Sequence, residues 1–436
     1  MKNRLIRSTL ITVIGGLALS FVHVGKASAI PAFTRQFKTE CSTCHTIFPE
    51  LTEQGANFKK NSFVWLGTKG ETPPAKKDEM KDAEESKGKE YLALATLPEY
   101  VPLSISAAFN ASYNDQRPND GNRFDFVTRY VELQGAGSLG DKLGFWLSYD
   151  LYTEGPYTGT NNNASLNGNV PTNNTPDLND AFVSARHLFD TPINFKVGRI
   201  RPWLSLWKGT DRTSISEMAT TFYTVGNSPF YTDAAADGME FNAVIGKRVF
   251  VAGGAVKRKD QNNIDGYGSM QVKFGGTDYE GGEAPISFDS DSIFDYLTTT
   301  FGVYGYSGTN NVGANELANH YYRLGAEGDI RYQRYRFKLA SAFGNDDNVQ
   351  DLANTVPYGA HKSRVCAAEG QYLIGSHFIP SFRYEYQDNG FGITRRYISS
   401  LAYAALQDAK IILEYKLQDS NVSHDNTMNV AMVFAF

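Results

Sequence analysis

Cys41-Ser42-Thr43-Cys44-His45 is the stretch of this 436-residue chain whose residue types and spacing could do chemistry. Two thiols separated by two residues can add to the two vinyl groups of a haem, and the histidine that follows then lies under the iron as an axial ligand. The motif points to one covalently attached haem c, held by Cys41, Cys44 and His45, with His45 on the iron. Other uses of a C-x-x-C pair fit less well. Structural zinc takes four ligands, and residues 30–99 offer two Cys and one His. A thioredoxin-like pair needs a βαβ frame, which the surrounding pattern lacks. A plain disulfide between the two thiols, or a chance match, stays open.

The second axial position carries no such mark. Met80 is the only Met in the N-terminal segment and is one candidate distal ligand, although it falls among charged residues. Lys59, Lys60 or a residue from further along the chain are others, and a five-coordinate iron needs none. The identity of that ligand sets the potential.

These residues follow an export signal. Lys2, Arg4 and Arg7 form a positive start, Leu10 to Val24 an apolar stretch, and Ala27-Ser28-Ala29 a small-residue cleavage site. The pattern predicts a signal peptide over residues 1–29. Export to an oxidising compartment agrees with haem attachment there. Removing that segment takes away four basic residues and no acidic one, which moves the formal charge from −5 to −9. An acidic exported chain is a poor nucleic-acid binder. The third cysteine, Cys366, stands alone, so the chain has no disulfide framework.

Phe33, Phe37, Ile47, Phe48, Leu51, Phe58, Phe63, Val64 and Trp65 give residues 30–67 a compact character, and this stretch is read as a monohaem cytochrome c segment. Residues 68–99 form a charged linker whose composition cannot build a core. From about residue 100 the period becomes two. Leu143, Phe145, Leu147, Tyr149 and Leu151 alternate with Lys142, Gly144, Trp146, Ser148 and Asp150; Tyr335, Phe337 and Leu339 alternate with Arg334, Arg336 and Lys338; Ile411, Leu413, Tyr415 and Leu417 alternate with Ile412, Glu414 and Lys416. One face suits lipid, and the other, with charges of both signs, suits a water-filled lumen. The chain ends on Met428, Val430, Met432, Phe434 and Phe436 in alternation, the pattern of a closing strand with a terminal aromatic.

The fold class is therefore mainly β: residues 100–436 are expected to form a transmembrane antiparallel β-barrel of about sixteen strands in the cell outer membrane, in contact with its lipid. Short connections are expected at 137–141, 190–192, 247–248, 331–333, 375–380 and 407–409. Longer outer ones are expected at 113–121, 153–177, 200–236, 308–318, 345–360 and 419–427. The longest, 200–236, contains Trp203, Trp207 and an expected helix at Ser214–Phe222, and it is expected to fold inward. The stretch 277–297 fits neither class. Arg334, Arg336, Arg383, Glu385 and Glu414 are expected in the lumen, where they could pair with an N-terminal segment small enough to plug it. Acidic loop residues (Asp346, Asp347 and Asp351; Asp233 and Asp237; His424 with Asp425) could gather metal cations.

Around the haem motif the chain resembles the fused monohaem c-type cytochrome–porins of the outer membrane, of the type found in iron-oxidising bacteria. The resemblance rests on Pro31-Ala32-Phe33-Thr34-Arg35-Gln36 before the motif, Pro49-Glu50-Leu51 after it, Gly55, Phe58-Lys59 and a porin-like remainder. It implies electron transfer through one haem, from an extracellular donor such as Fe(II) to a periplasmic c-type cytochrome or similar carrier, and hence an Fe(II):cytochrome c oxidoreductase. Two alternatives stand beside it. One is a haem-gated or haem-tagged porin for passive solute diffusion. The other is electron export to an external acceptor.

Overall fold

The computed structural model describes residues 33, 37, 41–47, 49–65, 103–114, 123–139, 142–153, 177–209, 212–257, 263–280, 297–312, 317–352, 355–375, 377–406, 408–421 and 424–435. The expected signal peptide, the linker with Met80, and Phe436 lie outside the described residues.

The chain begins with a small unit: one helical turn, α1 (Cys41–Cys44), then β1 (His45–Ile47), β2 (Glu50–Leu51) and α2 (Glu53–Lys60). Next come β3 (Leu103–Asn114), β4 (Phe124–Leu139), β5 (Leu143–Thr153), β6 (Asp177–Ala185) and β7 (Ile193–Ile200). A separate hairpin, β8 (Phe222–Val225) and β9 (Ser228–Tyr231), interrupts the order. The remaining strands are β10 (Ala236–Ile245), β11 (Val249–Lys257), β12 (Asp265–Phe274), β13 (Leu297–Val312), β14 (Leu317–Tyr332), β15 (Tyr335–Val349), β16 (Gly359–Tyr372), β17 (Phe378–Asp388), β18 (Ile393–Leu406), β19 (Ala409–Ser420) and β20 (His424–Ala435).

Strands β3–β7 and β10–β20 form one closed antiparallel barrel of sixteen, as the period-two pattern predicts. Closure comes from β20 pairing with β3, with Met428 opposite Tyr113 and Phe434 opposite Ala107. Closure leaves no unpaired edge, which is what a sheet needs in lipid. The two faces invert the habit of a water-soluble protein: on β14, Arg323 is fully buried while its neighbour Leu324 is 53% exposed. Leu143, Leu147, Phe337, Leu413 and Tyr415 face outward as expected. Among the described residues no helix is long and apolar enough to cross a membrane.

Most expected short turns are present. Gly246 and Lys247 both take positive φ (55° and 65°) between β10 and β11, the backbone twist that a two-residue hairpin prefers. The outer loops expected at 308–318, 345–360 and 419–427 are shorter than the sequence suggests. Polar residues that read as loop at 308–318 lie mostly in β13 and β14. Asn319 Nδ2 donates to Asn310 Oδ1 at 2.9 Å, and both amides reach Ser228 on the hairpin. Their polarity is satisfied inside the lumen.

The connection 201–235 does fold inward. The helix expected at Ser214–Phe222 is absent: the stretch is irregular and leads into β8. Three of its backbone N–H groups find carboxylates on the barrel wall, and only Thr221 and Phe222 reach back to a carbonyl, that of Met218. Ile215 N and Ser216 N donate to Glu414 at 2.7 and 2.8 Å, and Ala219 N donates to Glu385 at 2.9 Å. A buried irregular backbone needs such partners.

Candidate functional site: a haem-binding motif inside the barrel

The C-x-x-C-H motif sits on α1 and the start of β1, and α2 braces it. Residues three apart share a face of a helical turn, so α1 presents positions 41 and 44 together. Thr52 ties the two helices: its N–H donates to Cys44 O at 3.0 Å, its Oγ1 donates to Thr43 O at 2.8 Å and accepts from Gly55 N at 3.2 Å as the cap of α2. A Cβ at Gly55 would run into Cys44 O, so only glycine lets α2 lie this close. Behind the motif the aromatics pack on one another, with Phe33 edge-on to Phe58 at 4.8 Å and Phe37 stacked on Trp65 at 5.5 Å.

This unit docks on the inner wall near the short-turn end of the barrel. Phe63 stacks on Trp146 of β5 at 5.7 Å. Ser62 and Phe63 both take positive φ (59° and 61°), a strained arrangement for two non-glycine residues. Ser62 O lies where a Cβ on Gly144 would be, so the wall accepts that turn only through glycine. Asn57 donates to Asp278 O at 2.7 Å, and Asn61 donates to Tyr279 O at 2.8 Å. The stretch 277–297 that fitted no loop class thus begins with a docking surface. Lys273 pairs with Glu53 at 3.0 Å. Ile47 packs against Ile379, Ala402 and Ile412.

The strongest anchor is Glu50. Its Oε1 accepts from Arg336 at 2.7 Å, Lys338 at 2.9 Å and Gln371 at 3.1 Å, all from β15 and β16. Burial alone would raise the Glu50 carboxyl, but Lys338 and Arg336 pull it down to about 2. Glu50 lies in the Pro-Glu-Leu stretch; its role was not legible because its partners stand 286 or more positions away.

His45 keeps part of its surface open while lying deep in the molecule, and burial pushes its imidazole down to about 4. The backbone of Pro49 and of Glu50 is within hydrogen-bonding reach of the ring. A neutral imidazole whose second nitrogen faces backbone carbonyl is the form that binds a metal. The Cys41 side chain lies outside the described residues. On these observations the residues fit a c-type haem.

Other candidates fall elsewhere. Lys60 is enclosed by aromatic rings, with Nζ 4.2 Å from the centre of Tyr279 and 5.2 Å from Phe250. Burial pushes it, and Lys59, down to about 7. Arg334 is an exposed turn residue, not a lumen group, because the strand pair ends at Tyr332 and Tyr335. Arg383, Glu385 and Glu414 do face inward, where they hold the inward loop. The acidic loop residues do not converge. Asp346 is buried against Arg323 at 2.8 Å, Asp233 pairs with Arg201 at 3.1 Å, Asp351 caps its own loop at Thr355, and His424 pairs with Asp419. Among the described residues no three His, Cys, Asp or Glu side chains could hold a metal ion together.

A family model described as phosphate-selective porin O and P matches residues 104–285. The anion-selective porin from Comamonas acidovorans is a similar solved structure, with 12% identity, 77% of this chain and 99% of that one covered, and a TM-score of 0.55. A loop-deletion mutant of OmpT, an outer membrane protein of Vibrio cholerae, has 12% identity, 77% and 99% coverage and a TM-score of 0.50. Salmonella typhi OmpF, in a complex with daunomycin, has 14% identity, 77% and 97% coverage and a TM-score of 0.50. At such identities the likeness concerns the fold alone. No curated protein matches the chain. Closed sheet and inverted faces make the chain a sixteen-stranded outer-membrane β-barrel, and its fold is like that of these porins.

Proposed function

We propose that this barrel carries electrons across the outer membrane through a single c-type haem, taken from an extracellular donor such as Fe(II) and passed to a periplasmic c-type cytochrome or similar carrier. One observation carries the reading: the unit that bears Cys41, Cys44 and His45 is fastened inside the lumen through Glu50, Asn57 and Asn61. A redox group attached there stands between the two openings, and tunnelling rewards short distances. When bound, haem c supplies a reversible one-electron iron couple. The chain's own part is to hold it: two thiols for attachment, a neutral His45 for the iron, and Thr52 and Gly55 to fix the turn that presents them. Met80 stays a proposed distal ligand, with Lys59 as its rival. Electron export is the same conduit run in reverse.

A second reading, a channel for solutes whose haem gates or merely tags it, is favoured by the match of residues 104–285 to a porin family. Stopped-flow mixing of the oxidised, detergent-purified protein with Fe(II) tests the first reading. A reduced c-type spectrum within the mixing experiment is the expected result. A haem that dithionite reduces and Fe(II) does not would remove iron as donor, and a protein without covalent haem would remove the conduit. Solute-driven swelling of liposomes carrying the protein would favour the channel.

A further inference from the structure

A file of aromatic rings runs through the lumen from the outer loops to the haem-binding unit. Tyr267, Tyr306 and Tyr321 are buried on the inner faces of β12, β13 and β14. Tyr306 faces Tyr267 across its strand pair, and Tyr321 stands opposite Gly308, one inward-facing position nearer the outer loops. The three rings lie almost parallel. Centroids are 6.4 Å apart from Tyr267 to Tyr306 and 6.1 Å from Tyr306 to Tyr321, with 12° between the planes in both pairs. At the outer end Phe230 of the hairpin meets Tyr306 at 5.3 Å and Tyr321 at 6.4 Å. Phe391, which stacks on His361 at 4.0 Å, packs on the same cluster. At the inner end Phe182 packs on that cluster and stacks on Phe63 of the N-terminal unit at 6.2 Å.

Each phenol is held by a carboxylate. Tyr306 and Tyr321 donate to Asp265 Oδ2 at 2.7 and 3.1 Å, and Tyr267 donates to Glu240 Oε2 at 2.8 Å. The same Glu240 oxygen accepts from Trp203 N at 2.8 Å. The Trp203 ring in turn lies 5.9 Å from Lys60 Nζ, at the end of the helix that braces the haem motif. Glycine makes room for the file: a Cβ on Gly254 would run into the Tyr267 phenol, and one on Gly308 into the Asp265 carboxylate. Plain filling of the lumen needs no buried acids, whose burial is costly. Rings set at fixed spacing by such acids need another reason.

We propose that this file is the path by which an electron crosses from the outer opening to the haem. The inference rests on the conduit reading above and adds the residues that bridge its gap. The donor outside loses one electron and the haem iron gains it; the rings are the packed medium between them and end unchanged. Electronic coupling falls less steeply through close-packed atoms than across water or a void, and packed rings supply that density.

The test uses liposomes carrying the full-length protein, with hexaammineruthenium(II) added outside and haem reduction followed by absorbance. Tyr306→Leu opens a gap in the file and should slow reduction at least about tenfold. Tyr306→Phe keeps the ring and its volume, and its rate should stay within about twofold of wild type. The haem midpoint potential should be the same in both. Tyr322→Leu makes the same change on the exposed, lipid-facing neighbour and should leave the rate alone. An unchanged rate in Tyr306→Leu, or equal slowing in Tyr322→Leu, overturns the proposal. A second arm reads the file without the haem. A ruthenium photo-oxidant is attached through His361→Cys, with Cys366→Ser to remove the other exposed thiol. After a flash, ruthenium(III) takes one electron from the file, and the phenol proton passes to Asp265 along the existing hydrogen bond. The expected result is a tyrosyl radical, seen by electron paramagnetic resonance, that disappears when Tyr306→Leu and Tyr321→Leu are combined. No radical, or one that survives the double substitution, overturns the proposal. A preparation without covalent haem would sink the conduit reading, while the photo-oxidation alone would still decide whether the file carries charge.

Discussion

The N-terminal unit and the inward loop fill the same lumen, yet they grip its wall with opposite polarity. The N-terminal unit brings the acid, and the wall brings the cations: Glu50 meets Arg336, Lys338 and Gln371. For the loop the wall brings the acids, and the loop offers backbone N–H groups: Glu414, Glu385 and Glu327 each accept from it. One grip centres its buried charge on Glu50, beside the Glu53–Lys273 pair and the Asn57 and Asn61 amides, and the other is spread over three acids. The lining charges that look like those of an open pore are thus largely spent on two fillings, and the concentrated grip should be the easier one to release.

Breaking the concentrated grip should have the largest effect. Glu50→Gln leaves Arg336 and Lys338 buried with fewer counter-ions and should weaken docking by about 3 kcal/mol. In planar bilayers its conductance should rise well above that of wild type; an unchanged conductance would place the anchor elsewhere. Gly55→Ala attacks the same unit from within. The added methyl meets Cys44 O and should destabilise the unit by about 2 kcal/mol, read as less covalent haem per protein by absorbance. Glu414→Gln tests the spread grip. With Glu385 and Glu327 still in place, the loss should be about 1 kcal/mol, and limited proteolysis should cut the 212–221 stretch only slightly faster.

Acid acts on the same concentrated grip and sharpens the contrast. The Glu50 carboxyl is held below its unfolded value, so its contribution is complete above about pH 4.5 and falls away as pH drops toward about 2. Conductance should therefore stay flat down to about pH 4.5 and rise below it in wild type, whereas Glu50→Gln should lack that step.

The barrel was legible because its apolar face repeats every second residue from Leu143 to Leu417. The parts that were not legible all involve partners remote in sequence. Asn310 reads as loop because the hairpin residue Ser228 that satisfies it lies more than eighty positions away. Ser214–Phe222 reads as a helix because its local spacing cannot reveal that Glu414 and Glu385 take its N–H groups. Of the candidate site, Cys41, Cys44 and His45 stand out by their spacing. Glu50 left only a weak sign, one acid inside the apolar run Ile47-Phe48-Pro49-Glu50-Leu51.

The distance along the chain between Glu50 and its partners also bears on assembly. Arg336 lies 286 positions downstream and Gln371 lies 321, so the latch cannot form until most of the strands exist. Contacts of such high sequence separation come late in folding. An early intermediate would carry Glu50 as an ordinary solvated acid, and its burial would coincide with completion of the wall. The latch thus doubles as a checkpoint: only a finished barrel can seal itself.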